Sequence, residues 1–99
     1  MEEIILVRVK IKLLNLYRMK IGKKYLHYEG ETVEDIVRQF IKDYRDIIDP
    51  KFIQPNGLFI DKNLIFLNGR DIDYLDKYET KLKEGDRLMI SWPLNIGLA

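Results

Sequence analysis

The chain has 99 residues, 46% of them hydrophobic, which suits one domain whose core buries about two-thirds of the surface that its unfolded chain exposes. With no cysteine, disulfides, thiolate catalysis, thiolate zinc sites and iron–sulfur clusters are all excluded. Charge balances at 17 basic against 16 acidic residues but is unevenly placed, since residues 1–28 hold seven of the Lys and Arg and only two acids.

Met1-Glu2-Glu3 leads directly into a strand-like run, with no basic, apolar and small-residue sequence of a secretory leader. No apolar stretch approaches the roughly eighteen residues that a membrane-spanning helix requires, so the expected location is cytoplasmic, away from membranes. Val7, Val9, Ile11 and Leu13 alternate with Arg8, Lys10 and Lys12, which predicts a strand with one buried face and one wet, basic face. After "RMKIGKK", where Gly22 supplies a turn, "YLHYEGE" reads as a second strand, so residues 4–29 read as a hairpin with a long loop.

Thr32 and Asp35 form a capping-box pattern with Asp in the usual Glu place, and Val33, Ile36, Val37, Phe40, Ile41 and Tyr44 recur at helical spacing. The spacing predicts a helix over 33–47, ended by Asp49-Pro50, with "QPNG" at 54–57 marking a loop. In "LIFLNGRDI" a short apolar run meets Asn68-Gly69, a tight-turn signal that closes a third strand. "KLKEGDRLMISW" then places Gly85-Asp86 in a turn before a half-buried strand carrying Leu88, Ile90 and Trp92. The order β-β-α-β-β makes this an α+β chain: one main helix hides its apolar face across one face of a mixed sheet, the β-grasp or ubiquitin-like fold. Residues 7–13 and 87–92 are expected as neighbouring parallel strands at the sheet centre.

The stretch from Leu64 to Pro93 resembles the small sulfur-carrier family typified by MoaD, the small subunit of molybdopterin synthase, with ThiS and the ubiquitin-related modifier as relatives. Asn68-Gly69-Arg70, Thr80-Lys81-Leu82, Gly85-Asp86 and Pro93 occupy the places of that family's motifs, and Arg18 with Gly22 resembles its first loop. The resemblance implies a domain over 1–93 and a flexible tail over 94–99. It further implies a carrier rather than an enzyme, with no cofactor, whose terminal glycine carboxylate is adenylated and then converted to a thiocarboxylate. Here the tail reads Pro93, Leu94, Asn95, Ile96, Gly97, Leu98, Ala99, with one glycine that is not last. The implied partner is an adenylating (E1-like) enzyme or a large molybdopterin synthase-like subunit. These seven residues are the candidate partner-binding segment, with Met89 and Trp92 as the candidate docking surface beside it. The alternative is a diverged ubiquitin-like adaptor that binds protein without sulfur chemistry.

Other constellations read as structure. His27, the only histidine, sits in a strand beside Tyr25 and Tyr28 and is expected on the sheet surface rather than on a metal. Asp71, Asp73 and Asp76 lack the loop glycine and distant bidentate glutamate of a calcium loop and are expected as a solvated acidic turn. The basic residues of 8–24, with Tyr17 and Tyr25 interleaved, are the best nucleic-acid candidate, but a net charge of +1 argues against that partner.

Overall fold

The computed structural model describes residue 3 and residues 5–60 and 64–92. Strand β1 (Val7–Leu14) buries Val7, Val9, Ile11 and Leu13 and turns Arg8, Lys10 and Lys12 outward, following the alternation of the sequence. Strand β2 (Tyr25–Gly30) runs antiparallel to it, pairing Val7 with Gly30 and Lys12 with Tyr25. Strands β3 (Leu64–Leu67) and β4 (Arg70–Asp71) form a hairpin, and β5 (Arg87–Ser91) completes a five-stranded sheet in the order β2-β1-β5-β3-β4. Among the described strand pairs, β1 and β5 are the parallel one, in register from Lys10 opposite Arg87 to Leu14 opposite Ser91. The mixed α+β sheet and the central parallel pair are those expected from the sequence. The two-residue β4, formed where Arg70 folds back on Leu67, adds a strand to that reading.

The segment between β1 and β2, expected as an open loop, is instead a short helix, α1 (Asn15–Ile21). It stops at Gly22, whose left-handed φ of 78° lets its N–H reach the carbonyl of Arg18, a conformation that glycine adopts without a Cβ penalty. Helix α2 (Val33–Asp43) starts on the predicted capping box: the Asp35 N–H donates to Thr32 Oγ1 at 3.4 Å, and the Asp35 carboxylate accepts from the Thr32 N–H at 3.1 Å. It ends at Asp43 rather than near 47, because Tyr44 leaves helical geometry and its carbonyl takes the N–H groups of both Ile47 and Ile48. That turn sends Ile48 into the core, and the 3-10 turn Pro50–Phe52 delivers Phe52 there as well.

The apolar face of α2 lies on the sheet as Val33, Ile36, Val37, Phe40 and Ile41, in one cluster with Val9, Ile11, Leu88 and Ile90. Phe40 is fully buried, its ring edge-on to Tyr17 of α1 at 5.4 Å between centroids. Where β2 passes under the first turn of α2, a Cβ on Gly30 would come within 2.7 Å of the Asp35 Cβ, so the helix docks this closely only over a bare backbone. On the same face as Val9, at the sheet edge, the Tyr28 hydroxyl donates to Asp43 Oδ2 at the end of α2 at 2.7 Å. Partial burial, that hydrogen bond and the Asp43 charge together raise the phenol well above its ordinary value.

Truncating Phe40 to Ala should cost about 3–5 kcal/mol in equilibrium denaturant unfolding, and a loss under 1 kcal/mol would contradict its place under the helix. A second outcome concerns alkaline pH. Tyr28 keeps its proton in the folded chain to higher pH than in the unfolded chain, so its contribution is complete below the unfolded value of about 10 and is lost as pH climbs beyond it. Tyr28→Phe should flatten the decline of stability between about pH 9.5 and 11; an unchanged profile would mean that the pair contributes nothing.

Candidate functional site

The site is built from the C-terminal end of β5 and the outward face of the sheet. Asn15, at the junction of β1 and α1, takes a left-handed φ of 55°, a conformation that asparagine tolerates better than most residues. From there its Nδ2 donates to Ser91 Oγ at 2.7 Å, and the Ser91 hydroxyl donates in turn to the Trp92 carbonyl at 3.2 Å. Ser91 is buried, so these partners satisfy a hydroxyl that water does not reach. The Trp92 ring stands edge-on to Tyr17 at 5.0 Å and to Phe52 at 5.1 Å, with Lys20 Nζ 5.3 Å from its centroid. Two elements that are distant in sequence, α1 and the turn Pro50–Phe52, therefore grip the last described residue of β5 and the residue after it.

Trp92 is half-buried and packs inward against the core, and its ring serves as an anchor of the strand end. Met89 is half-buried on the outward face, beside Lys12 across the parallel ladder and Phe66 across the antiparallel one. Pro93, Leu94, Asn95, Ile96, Gly97, Leu98 and Ala99, the candidate partner-binding segment, lie outside the described residues. Sequence reasoning missed Asn15 and the helix it opens. The available signal was the helix-stop pattern of Arg18 and Lys20 ahead of Gly22, with buried Tyr17 facing inward.

A groove of about 400 Å³ runs over the outward face, lined by Lys10, Lys12, Tyr25, Asn68, Arg87 and Met89. Lys10 Nζ lies 3.9 Å from the Tyr25 ring centroid and Lys24 Nζ at 5.3 Å. Slight desolvation would raise the Tyr25 phenol, but Lys24, Lys10 and Lys12 together pull it below its ordinary value, reporting the positive potential there. His27 is exposed on β2, and Asp71, half-buried at the end of β4, caps the 3-10 turn Ile72–Tyr74, its carboxylate accepting the N–H of exposed Asp73. Among the described residues no three His, Asp or Glu side chains converge on one point, and no helix is long and apolar enough to cross a membrane.

No protein-family model matches the sequence, and no curated protein sequence matches it at a significant level. Solved structures do match. The small archaeal modifier protein 1 (SAMP1) of Methanosarcina acetivorans is 27% identical, with a TM-score of 0.76 over 93% of this chain and 98% of that one. A putative molybdopterin converting factor subunit 1 from Pyrococcus furiosus is 21% identical, with a TM-score of 0.61 over 89% of this chain and 99% of that one. A chain of the Amycolatopsis orientalis BexX/CysO complex is 19% identical, with a TM-score of 0.62 over 86% of this chain and 93% of that one. These neighbours are small ubiquitin-like proteins of the sulfur-carrier type, and the chain shares their β-grasp fold, as the sequence resemblance implied.

Because Trp92 fixes the strand end through two edge-on ring contacts, Trp92→Ala should destabilise the domain by about 2–3 kcal/mol in denaturant unfolding, and Trp92→Phe by less. An Ala variant as stable as the parent would remove Trp92 from the anchor.

Proposed function

We propose that this chain, a β-grasp protein with the fold of the small ubiquitin-like sulfur carriers, acts as a carrier-like protein by inserting the segment Pro93 to Ala99 into a partner enzyme. The observation that carries this reading is the built exit of β5: Asn15, Tyr17 and Phe52 hold Ser91 and Trp92. Whatever follows Trp92 therefore leaves from a fixed point at the end of a central strand. A fixed origin lowers the orientational entropy lost when a segment enters a narrow channel. Met89 lies on the same strand, on the outward face, where a partner receiving that segment would meet the body of the domain.

The partner of this reading is an adenylating enzyme or a large molybdopterin synthase-like subunit. In the first case the terminal carboxylate of the carrier attacks the α-phosphorus of ATP and expels pyrophosphate. A sulfide-level donor then attacks the acyl carbon and AMP leaves with the oxygen that bridged it, which gives a thiocarboxylate that a second enzyme consumes. The carrier contributes its carboxylate and its fit. No side chain of its own needs to move a proton.

Segment chemistry is testable with an adenylating enzyme, ATP and a pyrophosphate-exchange assay. The chain through Ala99 should bind, and deletion of 93–99 should weaken binding at least about tenfold, since the inserted segment supplies contacts that the body does not. Leu98 and Ala99 each bring a Cβ into a passage shaped for bare backbone, at about 1–3 kcal/mol per site. The variant Leu98→Gly with Ala99 removed should accordingly exchange roughly 30- to 10⁴-fold faster. Binding by both with exchange by neither would leave the diverged adaptor as the surviving reading.

A further inference from the structure

The outward face of the sheet carries a charge arrangement that the fold does not need. Lys10 of β1 and Arg87 of β5 are direct neighbours in the parallel register, and both point away from the core. Cations set side by side across a ladder repel one another and cost stability. Lys12 lies one step further along the same face. Among the described residues no carboxylate pairs with Lys10, Lys12 or Arg87; the ion pairs present, Arg38 with Glu34 and Lys51 with Asp49, lie elsewhere. Lys10 instead rests on the Tyr25 ring.

Apolar side chains share this positive strip. Met89 and Phe66 are half-buried beside it, and Leu64 is 40% exposed on the same outward face of β3. Carboxylates bracket it: Glu29 stands opposite Arg8 in the ladder near one end of β2, Asp71 sits opposite Phe66 on β4, and Asp86 is held at the Asn68 turn by the Asn68 side chain and the Lys83 N–H. A phosphate backbone running across the face would have to pass those acids, and the Tyr25 ring is already covered by Lys10 and flanked by Lys24 instead of being open to a base. A short segment that combines carboxylates with apolar side chains meets no such obstacle.

We propose that the outward groove formed by Lys10, Lys12, Arg87, Tyr25 and Met89 binds an acidic, apolar-containing polypeptide segment of the protein that receives this chain. The assignment rests on the carrier-like reading above and deepens it, naming the chemistry of the partner surface. Carboxylates of that segment lie between Lys10 and Arg87 and relieve their repulsion, while Leu or Phe side chains cover Met89 and Phe66. Electrostatic complementarity of this kind sets the orientation and association rate of a complex.

The test is an amide NMR titration of the full chain with a synthetic peptide in which Glu alternates with Leu and Phe, run in parallel with a single-stranded oligothymidylate. The expected result is saturable shifts at residues 10, 12, 25, 66, 87 and 89 with the peptide, weakened at least about tenfold by Lys10→Glu with Arg87→Glu and by raising salt from about 0.05 to 0.5 M. Arg87→Gln serves as the folding control. Removing one of two repelling cations should leave the thermal midpoint unchanged or higher while still weakening the peptide several-fold. Equal or stronger binding of the oligothymidylate at these residues would overturn the proposal in favour of nucleic acid, and absence of peptide shifts would overturn it outright. A fall in thermal midpoint that accounts for the lost binding of Arg87→Gln would overturn it in favour of a structural role. The pyrophosphate-exchange assay reads the terminal segment and not this face, so failure here with exchange intact would leave the carrier-like reading standing.

Discussion

The parallel pairing of β1 with β5 is the constraint on which the rest of the molecule depends. These two strands stand far apart in the chain, and their adjacency forces everything between them to fold outside the pair: β2 on one flank, the β3–β4 hairpin on the other, and α2 across one face. A parallel pair needs a long crossover, and α2 with its flanking turns supplies one that also closes the core. Leu88 and Ile90 alternate in phase with Ile11 and Leu13, so a one-residue slip would turn the buried row of either strand to solvent. Register and core composition thus enforce each other.

That pairing also fixes both halves of the site. It brings Asn15, the first residue after β1, to Ser91, the last residue of β5, so the exit of the chain is braced by its opening segment. It sets Lys10 beside Arg87, and so creates a concentration of charge that neither strand carries alone. On the opposite face of the pair, the aromatic cluster of Tyr17, Phe40, Phe59, Phe52 and Trp92 runs from under α2 to the strand end. The interior that stabilises the domain is continuous with the post from which the terminal segment departs.

Elements whose signals are local were legible in the sequence. The alternation in β1, the Thr32–Asp35 box and the Asn68-Gly69 turn, with both residues at positive φ, rest on neighbours within a few positions. Helix α1 was hidden because seven residues show barely two turns of periodicity, and because Leu16, Tyr17 and Ile21 also fit an irregular loop with apolar contacts. Helix α2 was drawn too long because Tyr44 and Ile48 continue an apolar spacing that the backbone abandons at Asp43, serving the same core from a turn. The candidate site was least legible of all. Trp92 can be read off as apolar but not as clasped between Tyr17 and Phe52. The like-charged neighbours on β1 and β5 emerge only once the register across the sheet is known.

The geometry of the strand end has a mechanical side. A force drawing on the segment beyond Trp92 acts along β5, and β5 is tied by a parallel ladder to β1, whose own free end lies at the opposite pole of the pair. Tension between the two termini therefore loads the hydrogen bonds of that ladder in shear, all at once, whereas an antiparallel hairpin pulled from its open end would unzip bond by bond. The Asn15–Ser91 bond and the Trp92 clasp sit at the point where such a load enters. In a domain of this construction a pull on the end of β5 meets the whole β1–β5 ladder together instead of one bond at a time.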